Sequence, residues 1–322
     1  MYDEIKEKKI ILELNNGIII PAIGLGTGVI KRFYRNKIKY SVDIIKAIIK
    51  TIKYRKIVRF LKNDVVIKMI LKSGIKYGYR LIDTARLYGH SEKYIGDVTK
   101  NFDRKELFII TKVSEDDLIR YPHISTVHDN LSLSLKNLKT DYVDAYLLHF
   151  PGPKRVEMYR EMENEFRSGR ARLIGVCNFD IEELDELIEK CEIKPMINQI
   201  ELNPLNTRVE LREYCKKRGI QIIAHTPTAR MDKRISESEI LKFLAKKYNK
   251  SIFQIIYRWH YQNSVIPLVA STSRKHLKRN LDIFDFTLTD EEMRNIDMMN
   301  INYSCDKFNN KKSDCQDFVY NI

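Results

Sequence analysis

Three apolar runs in the first half of the chain end in a residue able to do proton chemistry. Asp83 closes the run in GYRLIDTARLYG, Lys112 is last but one in LFIITKV, and His149 last but one in YVDAYLLHF, while Tyr88 follows Asp83 by five residues in what must be a loop. A phenol titrates near about 10 and is a poor acid at neutral pH unless a neighbouring cation favours its ionised form. Lys112 supplies such a cation, Asp83 holds the lysine by an ion pair, and His149 orients a carbonyl oxygen. Taken singly, each has a plainer reading: Asp83 as a helix cap, Tyr88 as packing, Lys112 as a solvated strand end, His149 as a satisfied core histidine. Later runs end in polar groups too, with Cys177-Asn178 after ARLIGV, Gln199 and Glu201 within MINQIEL, and His225 at the end of QIIAH. Caps alone do not account for so many polar residues at the same end of apolar strands.

The elements that must position these residues recur at long intervals. AIGLGT, RLIDTA, LFIITKV, YVDAYLLHF, ARLIGVCNF, MINQIEL, QIIAHTP and SVIPLVA are apolar and β-branched, with charged helical patterns between them. Strands alternating with helices imply parallel βαβ units, and continuous apolar runs suit a sheet buried on both faces. Eight units predict a closed (β/α)8 TIM barrel, whose active site lies at the C-terminal ends of the strands. A doubly wound open sheet also alternates, but G-x-G-x-x-G after the first strand is missing. Ahead of that strand, IILELNNGIIIP places two apolar runs around Asn15-Asn16-Gly17, a β-hairpin signal. The hairpin is expected to plug one end of the barrel. Asp180 reads as the N-cap of DIEELDELIEKC, and Ser251 with Gln254 as a capping box ahead of IIYRWHYQ.

In order along the chain, GYRLIDTARLYGHSEKYIG, ELFIITKV, TDYVDAYLLHFP, GRARLIGVCNF, INQIELNP and SVIPLVAS…LKRNLDIFDFTLTDEEM resemble segments of the aldo-keto reductase superfamily over nearly the whole chain. The resemblance implies that NADPH gives a hydride to an aldehyde or ketone, with Tyr88 as general acid, Lys112 and Asp83 tuning it, and His149 orienting the substrate. It makes Asn178 and Gln199 the partners of the nicotinamide amide, with Glu201 serving structure in the same strand. Departures are visible. The family's Ala-Tyr-Ser-Pro reads AHTP here, so His225 stands where a tyrosine stacks on nicotinamide, and Cys177 replaces a serine. Ile-Pro-Lys-Ser becomes LVAS, so Ala270 replaces the lysine expected at the 2′-phosphate and His276 a second arginine, while Ser271 and Asn280 keep the pattern. Arg274, Lys275, Lys278 and Arg279 in the same stretch either restore the charge or form a solvated helix face, and NADH is the competing cofactor. Tryptophans that line the carbonyl pocket in relatives are replaced by Gly28, Ser114 and Phe150, leaving a roomier pocket, and the lone Trp259 is expected in the core.

At 322 residues, 43% hydrophobic and 31% charged, the chain can fold as one barrel domain spanning 1–322, with no composition signal for disorder. The net charge of +14 would suit nucleic acid, but residues 31–62 carry twelve Lys or Arg against the single acid Asp43, eleven of the fourteen charges. The basicity therefore belongs to one insertion after the first strand. Within it Ile44, Ile45, Ile48, Ile49 and Ile52 recur at helical spacing. Such a basic amphipathic helix lies on an anionic membrane, binds an acidic partner, or packs onto its own domain. Residues 301–322 form a C-terminal tail. Five cysteines without a C-x-x-C pair, and no signal or membrane-spanning stretch, point to the cytoplasm. His123 and His128, placed in a loop, lack a third ligand, so no metal is expected. A degenerate barrel acting as a non-catalytic binding or regulatory module is the alternative that Cys177, His225 and Ala270 favour.

Overall fold

Runs of alternating β-branched residues become short strands because each inward residue is paired with an outward one that a helix covers. The computed structural model describes residues 11–14, 17–28, 67–120, 125–271 and 273–305. Eight parallel strands close into a barrel in the order β10-β3-β4-β5-β6-β7-β8-β9. They are β3 (Gly24–Gly26), β4 (Leu81–Asp83), β5 (Phe108–Val113), β6 (Ala145–Leu148), β7 (Ile174–Cys177), β8 (Ile197–Glu201), β9 (Gln221–His225) and β10 (Ile266–Val269). Parallel registers such as Leu81↔Phe108 and Ile197↔Gln221 run round the barrel, and β10 pairs with both β3 and β9. The expected (β/α)8 architecture is the one found.

Side-chain direction follows the two-residue period of a strand. Leu81, Phe108, Ile110, Leu147, Leu173, Ile197, Ile223, Ile266 and Leu268 fill the barrel interior as one cluster. Ile82, Ile109, Tyr146, Leu148, Val176, Ile200, Ile222 and Val269 alternate with them and pack outward in a second cluster with the helices. The N-terminal hairpin, β1 (Ile11–Glu13) against β2 (Ile19–Pro21), is antiparallel with Ile11 opposite Pro21. Its Leu14 and Ile20 join the interior cluster, so the hairpin closes the floor of the barrel as expected.

Helices from 67–77 to Asp290–Asp297 form the outer ring; the capping box read from the sequence, Ser251 with Gln254, is made, and the N-cap Asp180 proves to be part of a second one with Glu183. Trp259 is fully buried. His128 is not in a loop: it lies on the helix Val127–Leu138, where its Nδ1 is 2.8 Å from Oε1 of Glu165 on a neighbouring helix. Its place follows from Thr126, whose side chain accepts from the Asp129 amide and starts the helix earlier than the sequence suggested. The basic insertion 31–62, His123 and the tail beyond residue 305 lie outside the described residues. No helix of the described residues is long and apolar enough to cross a membrane.

Candidate active site

The same two-residue period carries polar groups onto the axis at the C-terminal ends of the strands. Asp83 follows Leu81 on the inward face, Lys112 follows Ile110, His149 follows Leu147, Gln199 follows Ile197, and His225 follows Ile223. Lys112 is fully buried, and its Nζ donates to Asp83 Oδ1 at 2.6 Å and to the Thr84 carbonyl at 2.8 Å. A buried ammonium persists only with such compensation. That ammonium lies 5.1 Å from the centroid of the Tyr88 ring. The His149 ring meets Tyr88 edge-on, centroids 5.7 Å apart at 76°, and Phe150 stacks on His149 at 4.3 Å. His149 is fixed from behind, its backbone N–H donating to the Val113 carbonyl at 2.7 Å. The four residues read as a proton-donating unit are thus brought together.

Gly28 sits beside them: a Cβ at that position would lie 3.5 Å from the Tyr88 ring. At that position the phenol is bordered by backbone, not by a side chain. Phe150 is half-buried, whereas Ser114 is buried and its hydroxyl donates to Asp117 Oδ2 at 2.8 Å.

The residues assigned to a nicotinamide form a chain of contacts on the other flank. Gln199 is turned into the protein: its Nε2 donates to Asp83 Oδ1 at 2.7 Å, and its Oε1 accepts from Cys177 Sγ at 3.6 Å. Asn178, with φ 65, donates from Nδ2 to the His149 carbonyl at 3.2 Å, and its Oδ1 lies 2.8 Å from His225 Nε2. Gln199 thereby steadies Asp83, and His225 is linked to His149 through Asn178. Beyond β9, Thr226, Ala229, Arg230 and Met231 all have left-handed backbones, with φ from 48 to 62. Strain of this kind in non-glycine residues collects at ligand sites. After β10, Ala270 is exposed, Ser271 half-buried, and Arg274 and Arg279 exposed on the short helix Arg274–Asn280. Asn280 is 5% exposed and its Oδ1 has no partner among the described residues, an acceptor suited to a ligand donor.

Some contacts carry no short-range sequence signal. Thr84 offers its carbonyl to Lys112, Gln199 reaches Asp83 across 116 residues, and the fully buried Glu201 accepts from Ser304 Oγ and the Cys305 amide, both at 2.7 Å. Glu201 therefore pins the C-terminal segment, the structural role expected of it. The period-two face shared with Gln199 was its only local signal.

The sequence model of the Aldo/keto reductase family matches residues 59–301. Glyoxal reductase of Bacillus subtilis is 41% identical over 232 residues, 71% of this chain and 82% of its own. Methylglyoxal reductase DkgA of Escherichia coli is 36% identical over 239 residues, 73% of this chain and 84% of its own. Among solved structures, an aldo-keto reductase of Bombyx mori in complex with NADP superposes with a TM-score of 0.75 at 30% identity, covering 93% of this chain and 95% of that one.

Proposed function

The chain belongs to the aldo/keto reductase family and is an NADPH-dependent oxidoreductase of carbonyl compounds, and on that premise we propose that Tyr88 protonates the carbonyl oxygen of a small aldehyde or ketone. The carrying observation is the buried Lys112–Asp83 pair, 2.6 Å long, with the ammonium against the Tyr88 ring. Residues for the cofactor are present: Asn178, Gln199 and His225 for the nicotinamide end, and Ser271, Arg274, Arg279 and Asn280 for the phosphate and adenine end. Asn280 Oδ1, buried and unpartnered among the described residues, supports that fit. NADPH held there supplies a hydride to the carbonyl carbon. The protein does the rest. His149 orients the carbonyl oxygen toward the phenol, and Lys112 stabilises the negative charge that develops on the phenol oxygen as its proton leaves. Asp83, held by Gln199 as well as Lys112, keeps the ammonium in place. Phe150 and Gly28 border the substrate.

Glyoxal and methylglyoxal are the first substrates to assay, because relatives carry those names. The cysteine pattern supports a cytoplasmic location. The non-catalytic module rests on the replacements at Cys177, His225 and Ala270, and against it stand the reductase names of the relatives and the assembled Tyr88–Lys112–Asp83 unit; no observation among the described residues supports contact of the basic insertion with a membrane or acidic partner. The test is NADPH oxidation by the purified protein with each substrate, for wild type and Tyr88→Phe. Turnover lost in the variant with NADPH binding retained supports the reading; equal turnover in both sinks it.

A further inference from the structure

Tyr88 ends a single 3-10 turn, Arg86–Tyr88, that no side chain caps, and Gly89 leaves it with φ 65. Leu87 is buried, and Thr84 and Ser91 meet across the base of the loop with their hydroxyls 2.6 Å apart. These contacts fix where the loop begins and ends. The third side chain of the turn, Arg86, is surrounded by charge. Its Nη1 is 3.8 Å from Glu92 Oε2, and its guanidinium also acts on Asp117. Both carboxylates are inside the protein, 1% and 0% exposed.

Glu92 is held from the strand that carries Lys112, and Asp117 from the residue just after that strand. Glu92 Oε1 accepts from Thr111 Oγ1 at 2.8 Å, and Asn137 Nδ2 donates to Oε2 at 3.2 Å. Asp117 Oδ2 accepts from the backbone N–H of Ser114 at 2.9 Å and from its hydroxyl at 2.8 Å, while Oδ1 has no partner among the described residues. Thr111 precedes Lys112 by one residue and Ser114 follows it by two. The groups facing Asp117 are Arg86 and Glu92, with the phenol of Tyr146 acting from β6. Two like charges inside the protein repel one another, and Arg86 is a cation that acts on both, in contact with Glu92.

We propose that Arg86 is a positioning residue for Tyr88: drawn toward buried Glu92 and Asp117, it registers the acid's turn against the strand end that supplies Lys112. The inference rests on the reading of Tyr88 as the acid. Burial pushes the Asp117 carboxyl up to about 6, against the hydrogen bonds from Ser114 and the charge of Arg86. As Asp117 takes up its proton near that pH, Arg86 is left with Glu92, its contact at 3.8 Å, and the turn is expected to loosen.

The test measures kcat and KM for methylglyoxal with NADPH from pH 5 to 8, NADPH affinity by fluorescence, and amide hydrogen exchange of residues 84–90. It compares wild type with Arg86→Met, Arg86→Lys and Asp117→Asn. Arg86→Met loses on the order of tenfold in kcat at unchanged NADPH affinity, the scale of a displaced catalytic group. Arg86→Lys regains most of it. Asp117→Asn removes the fall in kcat below pH about 6, and exchange of 84–90 is faster in Arg86→Met and Asp117→Asn. Unchanged kcat in Arg86→Met overturns the proposal. So does equal loss of kcat, NADPH affinity and thermal stability in both Arg86 variants, which marks a merely structural residue. A wild type that reduces no carbonyl compound sinks the acid reading of Tyr88, and exchange of 84–90 then decides alone whether Arg86 holds the turn.

Discussion

Lys112 is costly to bury in the barrel, since an ammonium without solvent must recover its lost hydration from Asp83 and the Thr84 carbonyl. Lys112→Met keeps the volume and removes the charge. The expected outcome is a loss of on the order of 100-fold or more in kcat with methylglyoxal, the scale of removing one preorganised charge, with NADPH affinity little changed. Single-turnover kinetics check it, and a variant within twofold of wild type excludes the lysine from proton transfer. Asp117 gives a stability prediction of opposite kind. A carboxyl raised from 3.8 to about 6 in the folded chain binds its proton more tightly there than unfolded, so its stabilising contribution is complete below pH about 4 and is lost as pH rises to about 6. At pH 7 the buried charge costs about 3 kcal/mol relative to its protonated form. Asp117→Asn is therefore expected to unfold in urea at a higher midpoint than wild type at pH 7, with the gain gone by pH 4. Greater stability with lower kcat is the signature of a charge retained for the site. The four proton-chemistry residues were legible in the sequence because each strand-borne one extends an inward face by one period, as His149 does after Leu147. Gln199's bond to Asp83 was not, since nothing local distinguishes an amide facing a cofactor from one facing a carboxylate 116 residues away.

At the level of elements, the barrel could be read in advance because its strands are short, apolar and separated by helices with visible starts. Ser251 with Gln254 is such a start, each side chain satisfying the other's backbone N–H. Ser251→Ala is expected to cost about 1 kcal/mol, read as a lowered urea midpoint at unchanged activity. The hairpin was equally plain from Gly17, which adopts φ 78 in the turn between β1 and β2. Close approaches between helices were invisible. Gly96 lies on the helix Ser91–Thr99, where an added Cβ would stand 2.3 Å from the Asn137 carbonyl oxygen at the end of Val127–Leu138. In sequence it is a glycine in a helix, a small penalty and no more. Its partner is known only once the two helices are stacked. Gly96→Ala is expected to destabilise by roughly 1–3 kcal/mol, because backbone on the far side cannot yield cheaply. Calorimetry decides the point: an unchanged melting temperature would mean that the two helices separate freely. Because Glu92 is on this same helix, and Asn137 of Val127–Leu138 donates to it, the displacement is expected to reach the Arg86–Tyr88 turn and lower kcat as well.

Over the whole molecule, charge is the property least determined by the fold. The barrel sets where strand ends meet, but the +14 net charge is a matter of surface composition, and eleven of those charges fall in residues 31–62. What remains for the cofactor is local. Ala270 is exposed where the family's lysine would pair with a 2′-phosphate, yet Arg274, Lys275, Lys278 and Arg279 are exposed on the next helix. None of the four has an ion-pair partner among the described residues, so all are available to an anion. Exposed cations act through screened Coulomb forces, whose range falls from about 10 Å at 0.1 M salt to about 3 Å at 1 M. A buried, bidentate phosphate site would resist salt, whereas a set of surface cations would not. The expected outcome is that NADPH binds more tightly than NADH at low salt, and that the ratio of their dissociation constants shrinks steadily as salt rises. Combined Arg274→Ala and Arg279→Ala substitution should reduce that ratio while leaving NADH affinity unchanged, since NADH carries no 2′-phosphate for the two arginines to meet. Fluorescence titrations of both nucleotides at several salt concentrations measure it. A ratio independent of salt and of both arginines would place the discriminating contact elsewhere in the molecule, and a ratio of one would mean that loss of the lysine at Ala270 has left the enzyme indifferent between the two nucleotides.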